Sequence, residues 1–175
     1  MKKFLTLLLL TLMLGFTSCD DDKDTAATDN ELSRQLVGAW SLAMQTDSGE
    51  KDAEGQPVMI GTTLVYTFNA STTFTYREVQ TTLSGNPREW NVGGTWNIKR
   101  GYLQVKYDLD SFTAKGLTDA EQSALKTDMR NANATLEQLN DKDKVFGVPV
   151  TIASADGQTT LQLGNINGLF VRISF

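Results

Sequence analysis

The residues of this chain that could do chemistry are mainly carboxylates. The sequence has no histidine and a single cysteine, Cys19, which excludes a nucleophile activated by histidine and a zinc site built from Cys and His. Glycoside hydrolysis needs only two carboxylates at a set separation. Two candidate pairs are present, Asp108 with Asp110 and Glu78 with Glu89. Because acids are routine at strand ends, we predict that the protein is not an enzyme.

The other chemical patterns in the sequence point away from cofactors and metals. Asp141 and Asp143 alternate with lysines, which indicates a solvated charge run, since a calcium loop needs more oxygen ligands. No glycine-rich phosphate loop leads from a strand into a helix. The formal net charge of −5 disfavours nucleic-acid binding through a basic surface. We expect no cofactor, no metal and no nucleic-acid partner, and binding is the better class of function.

Cys19 stands at the end of a predicted signal peptide, residues 1–18. Two lysines precede the apolar run Phe4–Phe16, which is too short for an ordinary transmembrane helix. The residues Phe16-Thr17-Ser18-Cys19 resemble a lipobox, in which a peptidase cuts before the cysteine and its thiol then carries a diacylglycerol. Further acyl chains such as palmitate would strengthen the membrane anchor. The alternative is a plain secretory signal cut at the same place, which leaves an ordinary thiol.

Residues 19–31 are predicted to be the lipidated cysteine and a flexible acidic tether. Asp20–Glu31 holds six acids and one base, and Asp20–Asn30 has no large apolar residue, so we expect the tether to be disordered. The acidic run directly after Cys19 resembles the export signal of surface lipoproteins of the Bacteroidota. That resemblance implies attachment to the outer membrane with exposure at the cell surface, and an anchor that faces the periplasm is the alternative.

Residues 32–175 are predicted to form one mainly β domain. In the stretch 93–107, apolar and polar residues alternate on both sides of Arg100-Gly101, which is typical of two strands joined by a tight turn. The same alternation recurs along the chain and predicts eight antiparallel strands. Gly93-Gly94 lies inside the fourth strand and indicates a bulge or a sharp bend.

One long amphipathic helix, 118–140, is predicted between strands five and six. Thr118-Asp119-Ala120-Glu121 is a capping box. An apolar stripe at helical spacing follows it: Leu125, Met129, Ala132, Leu136 and Leu139. The stripe favours packing against the wall of the sheet. A lid over the mouth of the sheet is the alternative.

Two parts of the sequence resemble lipocalins. Leu36-Val37-Gly38-Ala39-Trp40 looks like their first signature, and Tyr66–Tyr76 with Gly94–Ile98 is similar to bacterial lipocalin-like lipoprotein domains. The resemblance implies an eight-stranded up-and-down barrel with a ligand cavity, although lipocalins place their helix after the last strand. It also implies that Trp40 closes the barrel base and that Arg172 packs over it through a cation–π contact. We assign Trp96, at a second Gly-x-Trp, to the same structural set.

A hollow barrel would offer aromatic walls with a few hydroxyl tips, which suit a small apolar or amphipathic ligand. The candidate ligand-binding residues are Tyr66, Phe74, Tyr76, Trp90 and Tyr107. The first hypothesis is therefore an outer-membrane-anchored lipoprotein that binds such a ligand inside the barrel. The alternative is a lipid-anchored interaction module with a filled barrel, which binds a protein or glycan partner through loops such as Gln45–Pro57.

Overall fold

The computed structural model of the protein describes residues 22–81, 87–140, 144–164 and 166–173. The signal peptide, Cys19, Asp141 and Asp143 lie outside the described residues, so the predictions on them stay predictions. The helices and strands, in chain order, are α1 (Asp22–Leu36), β1 (Gly38–Lys51), β2 (Pro57–Phe68), β3 (Thr73–Gln80), β4 (Arg88–Lys99), β5 (Tyr102–Lys115), α2 (Asp119–Asn140), β6 (Val148–Ala155), β7 (Gln158–Leu163) and β8 (Phe170–Ile173).

The eight strands belong to one antiparallel sheet that closes into a ring. Each strand pairs with the next along the chain, and β8 pairs with β1. Successive side chains of each strand point alternately into and out of the ring. Along β3, the buried side chains are Phe74, Tyr76 and Glu78, and the exposed ones between them are Thr75 and Arg77. This confirms the prediction of a mainly β fold with eight antiparallel strands, because period-2 patterning places one face of each strand in the core.

The described residues contain two helices, whereas the sequence predicted one. Besides α2, which follows β5, a first helix precedes the sheet and begins at Asp22. It occupies most of the segment that was expected to be disordered, so that expectation is wrong from Asp22 onward. The Asp29 carboxylate accepts hydrogen bonds from the backbone amides of Arg100 (2.6 Å) and Gly101 (2.7 Å), and Leu36 is fully buried. These contacts, made far away in sequence, stabilise a helix that local composition did not predict.

Closure by strand pairing is confined to one end of the ring, which we call the closed end. Within the described residues, β8 pairs with only Ala39–Ser41 of β1, and β6 pairs with only Tyr102–Leu103 of β5. The longer ladders, β1 with β2 and β4 with β5, continue well beyond these pairs. We call the opposite end, where β5 leads into α2, the α2 end.

At the α2 end, the helix covers the part of β5 that has no pairing with β6 among the described residues. The Asn133 side chain accepts a hydrogen bond from the Tyr107 amide and donates one to the Tyr107 carbonyl, both 2.8 Å long. The side-chain amide of Asn133 thus forms the hydrogen bonds that a neighbouring strand would otherwise form. Leu125, Met129 and Leu136 on the same helix are buried, so α2 packs against the sheet as wall.

The N-terminus of α2 is closed by the predicted capping box. The Thr118 amide donates to the Glu121 carboxylate over 2.8 Å, and the Glu121 amide donates to the Thr118 hydroxyl over 3.3 Å. Two backbone donors of the first turn are therefore satisfied by side chains. This confirms that local sequence sets where the helix begins.

The predicted bend at Gly93-Gly94 is confirmed by a shift of register between β4 and β5. Asn91 pairs with Thr113, whereas Gly93 pairs with Asp108, so β5 contains extra residues, a bulge, between those pairs. A Cβ atom on Gly94 would lie 2.1 Å from the Lys106 carbonyl oxygen, and glycine is required by this close approach. Phe112, one of the extra residues in the bulge, is buried.

The stretch Gln45–Pro57, expected to be a loop, is mostly a hairpin. β1 continues to Lys51 and pairs there with Pro57 of β2. Asp52 organises the turn, since its carboxylate accepts hydrogen bonds from the amides of Glu54 and Gln56. β3 pairs with β2 only from Thr62 onward, so this hairpin extends past the ring at the α2 end.

Candidate functional site

The five candidate ligand-binding residues lie together in one aromatic cluster inside the ring. Tyr66 and Tyr76 have ring centroids 4.6 Å apart, and Tyr76 and Trp90 are 4.8 Å apart. Phe74 contacts Tyr107 at 5.8 Å. Phe68, which the sequence did not single out, lies 5.6 Å from Tyr66 and 6.3 Å from Phe74. The cluster fills the interior along β2 and β3, with Trp90 at its edge toward the α2 end.

A buried carboxylate stands at this edge of the cluster. Glu78 is 2% exposed and faces the interior next to Tyr76 on the same side of β3. Its oxygens accept hydrogen bonds from the Tyr76 hydroxyl (2.7 Å) and from the Gln80 amide (2.8 Å). The Trp90 side chain is a third hydrogen-bond donor to Glu78. Few polar groups in fixed positions against an apolar wall are typical of small-molecule sites.

Burial governs the titration of this cluster. Loss of hydration raises the pKa of Glu78 above its ordinary value of 4.5, and the hydrogen bonds from Tyr76, Gln80 and Trp90 oppose that shift, as does the positive charge of Arg88. Burial also raises the pKa of Tyr66 and of Tyr76 well above 10.0. The two phenols are therefore neutral hydrogen-bond donors at physiological pH.

The α2 helix contributes charged side chains next to the site. The Arg88 guanidinium and the Glu121 carboxylate form an ion pair of 2.8 Å. The hydrogen bond from the amide of Thr118, the residue before α2, lowers the pKa of Glu121. The Lys126 ammonium lies 5.0 Å from the centre of the Phe112 ring. The site thus brings together residues of β3, β4, β5 and α2.

The carboxylate pairs considered from the sequence are separated by the fold. Glu78 faces the interior, whereas Glu89 forms an ion pair of 2.8 Å with Arg77 on the outer face. Asp108 and Asp110 are exposed, and an Asp108 oxygen accepts the amide of Asp110 within the bulge. Neither pair flanks a common space, as glycoside hydrolysis requires. Across the described residues, no group of three or more Cys, Asp or Glu side chains is placed to hold a metal ion.

The residues assigned to the barrel base lie at the closed end. The Arg172 guanidinium lies 5.3 Å from the centre of the Trp40 ring and donates a hydrogen bond to the Val37 carbonyl. The Trp40 indole donates to the Leu36 carbonyl over 2.7 Å. Trp96 donates to the Thr73 carbonyl over 3.0 Å and packs on Phe68. These contacts join α1, β1, β2, β3, β4 and β8.

Sequence reasoning named Glu78 only as a possible catalytic acid and missed its place among the aromatic residues. The signal was present, because Glu78 shares its parity with Phe74 and Tyr76 on β3. The position of Phe112 could not be found in this way. It depends on the number of residues in the bulge, which only the register between β4 and β5 decides.

Comparison with known proteins gives no family assignment: no protein-family model matches the chain, and no curated protein matches its sequence. None of the helices in the described ranges is both long and apolar enough to cross a membrane.

Proposed function

We propose that this chain is a lipocalin-like lipoprotein that is anchored to the outer membrane through Cys19 and binds a small amphipathic ligand inside the ring. The antiparallel ring is consistent with an up-and-down barrel of this kind. The observation that supports ligand binding is the burial of Glu78, a carboxylate held at the edge of an aromatic cluster. Burying a carboxylate is costly unless its hydrogen bonds or a ligand offset the loss of hydration.

The ligand site lies at the α2 end. At the closed end the interior is occupied by side chains that contact one another, such as Phe68 with Trp96 at 5.5 Å. At the α2 end, Trp90 and Gln80 are only half-buried, and their side chains can move to admit a ligand. In this proposal Tyr76 and Trp90 contact the ligand directly, and Tyr66, Phe74 and Tyr107 form the floor beneath it. The function is binding without catalysis.

The ligand is tested with a neutral apolar fluorescent probe, N-phenyl-1-naphthylamine. We expect the purified protein to raise the probe's fluorescence and Trp90→Ala to change the affinity, because Trp90 lies at the edge of the cluster. Leu169→Ala is the matched control, since Leu169 is 52% exposed. Native mass spectrometry of protein taken from its own membrane would then identify a co-purifying molecule. A protein that binds no probe and carries no molecule would disprove ligand binding.

The anchor is tested independently of the ligand. We expect Cys19→Ala to move the protein from the membrane fraction to the soluble fraction and to abolish incorporation of labelled palmitate. Surface exposure is tested by protease treatment of intact cells. Continued membrane association of the Cys19→Ala protein would disprove lipidation at this residue and would leave the ligand hypothesis unaffected.

A second function, an interaction module with a filled barrel, is favoured by the hairpin that extends past the ring. Its acidic side chains, all exposed, are Asp47, Glu50, Asp52 and Glu54. In this proposal the hairpin binds a basic protein or a glycan partner. Shortening the hairpin from both strands by the same number of residues would abolish partner binding and leave probe binding intact. If the shortened hairpin keeps partner binding and loses probe binding, the result would favour the ligand-binding function.

A further inference from the structure

The surroundings of Glu78 narrow the chemistry of the ligand, provided that the proposed function holds. Two of its hydrogen-bond donors, the Tyr76 hydroxyl and the Trp90 indole, belong to aromatic side chains. Their rings are 4.8 Å apart. A carboxylate among aromatic side chains is a combination that attracts positive charge, because the carboxylate carries a full negative charge and an aromatic ring can bind a cation on its face.

Two positive side chains at the α2 end, Arg88 and Lys126, are already engaged. Arg88 pairs with Glu121 at 2.8 Å. Lys126 is directed to the ring of Phe112. Burial keeps the phenols of Tyr66 and Tyr76 neutral by raising their pKa. The negative charge of Glu78 is thus held by neutral hydrogen-bond donors from β3 and β4, while the Arg88 guanidinium is bound to α2.

We propose that the α2 end of the ring binds a small organic cation, a protonated amine or quaternary ammonium on an apolar group, with Glu78 as its counter-ion. Tyr76 and Trp90 form the aromatic wall around the cation, and the apolar group of the ligand lies against the floor of the cluster. A charge-assisted contact to a carboxylate is about twice as strong as a neutral hydrogen bond.

One donor to Glu78 is placed so that a ligand can replace it. Gln80 is the last residue of β3 and is half-buried, and its amide donates to Glu78 over 2.8 Å. An ammonium group that enters from the α2 end takes over this contact and frees the Gln80 side chain to turn outward. Tyr76, in contrast, is 3% exposed and packs on Tyr66, so its hydrogen bond to Glu78 is retained.

The experiment compares three probes of similar size that differ in charge: 2-phenylethylammonium, 2-phenylethanol and phenylacetate. Each is titrated by calorimetry into the wild-type protein, into Glu78→Gln and into Glu89→Gln. Glu89 is the matched control, because it lies on the neighbouring strand and faces outward in an ion pair with Arg77. Circular dichroism of each variant verifies that it is folded.

We expect the ammonium probe to bind at least about ten-fold more tightly than the alcohol, and phenylacetate to bind most weakly. Glu78→Gln should remove this preference, and Glu89→Gln should keep it. Equal affinities of the wild-type protein for the three probes, no binding of any of them, or a preference that survives Glu78→Gln would overturn the proposal. If the neutral probe N-phenyl-1-naphthylamine still binds, only the cation inference falls and the proposed function stands.

A quaternary probe, phenyltrimethylammonium, adds a test based on pH. This cation does not titrate, so a change of its affinity with pH reports on the protein. Burial raises the pKa of Glu78, and the affinity should therefore rise with pH as Glu78 loses its proton. The charged and titratable groups that act on Glu78 or pack beside it are Arg88, Tyr66 and Tyr76, and burial raises the pKa of both phenols so that they stay neutral. Glu121, which pairs with Arg88, ionises at lower pH because its pKa is lowered. A pH-independent affinity, or the same dependence in Glu78→Gln, contradicts the role of Glu78.

Discussion

The two ends of the ring are built on different principles. The closed end is held by strand pairing on every side, by the stack of Arg172 on Trp40 and by α1, which docks through Asp29. At the α2 end the ring depends on a helix and on one asparagine side chain that takes the place of a strand. At the closed end, aromatic side chains such as Phe68 and Trp96 pack against each other, whereas the α2 end holds a buried carboxylate with half-buried neighbours. We therefore expect the closed end to contribute more to stability than the α2 end.

The largest effect is expected from Trp40→Ala at the closed end. Trp40 is fully buried, and its truncation should lower the free energy of unfolding by about 3–5 kcal/mol, as for other large core aromatics. Urea denaturation measures the loss. Trp90→Ala, at the half-buried edge of the cluster, is the control and should cost less. Equal losses would show that the two ends contribute equally to stability.

Asn133→Ala should have the next largest effect, because it leaves the Tyr107 amide and carbonyl without their partner on α2. The expected loss is about 1–3 kcal/mol. Hydrogen exchange at the Tyr107 amide should become faster, while exchange at the Trp40 amide stays slow. Asn131→Ala, an exposed position on the same helix, should change the free energy by less than about 0.5 kcal/mol. Unchanged exchange at Tyr107 would contradict the role of Asn133 as a substitute strand.

Asp29→Ala should destabilise the protein by about 1 kcal/mol, since a half-exposed carboxylate loses two hydrogen bonds. The effect should be local, with faster exchange of the amides of Arg100 and Gly101. Asn30→Ala, exposed on the same helix, is the control. If Asp29→Ala leaves exchange at the turn unchanged, α1 is not held to the sheet in this way.

Glu78→Gln should alter how the free energy of unfolding changes with pH. Its effect on the free energy of unfolding at acidic pH should be smaller. The folded-state pKa of Glu78 is raised above 4.5 by burial, so its contribution to stability is present below that value and is lost as pH rises through the folded pKa. Urea unfolding across this window should therefore show a smaller loss in Glu78→Gln than in wild type. In Glu89, hydrogen bonds lower the pKa, and the dependence has the opposite sign. Identical pH profiles for wild type and Glu78→Gln would show that Glu78 is not buried at the α2 end.

Much of the fold could be predicted from local patterns. The bounds of β4 and β7, Arg88–Lys99 and Gln158–Leu163, follow directly from alternation between turn residues. Arg100 and Gly101 adopt positive φ angles of 53° and 77°, as the tight turn requires. The aromatic residues of the candidate site could be predicted, because alternate residues of a strand face the interior. The polar part of the site was missed, because a glutamate on an inward position gives no sign of the donors that surround it.

The sequence by itself determined most of the strands, the capped helix and most of the aromatic residues inside, since each depends on residues near one another in the chain. Only the tertiary structure decided that α1 forms, that closure is confined to one end and that Asn133 covers the edge of β5. It also decided which hydrogen-bond donors surround Glu78 and that Glu89 pairs with Arg77 outside. These features depend on contacts between residues far apart in sequence, whose geometry is set by register and by the bulge in β5.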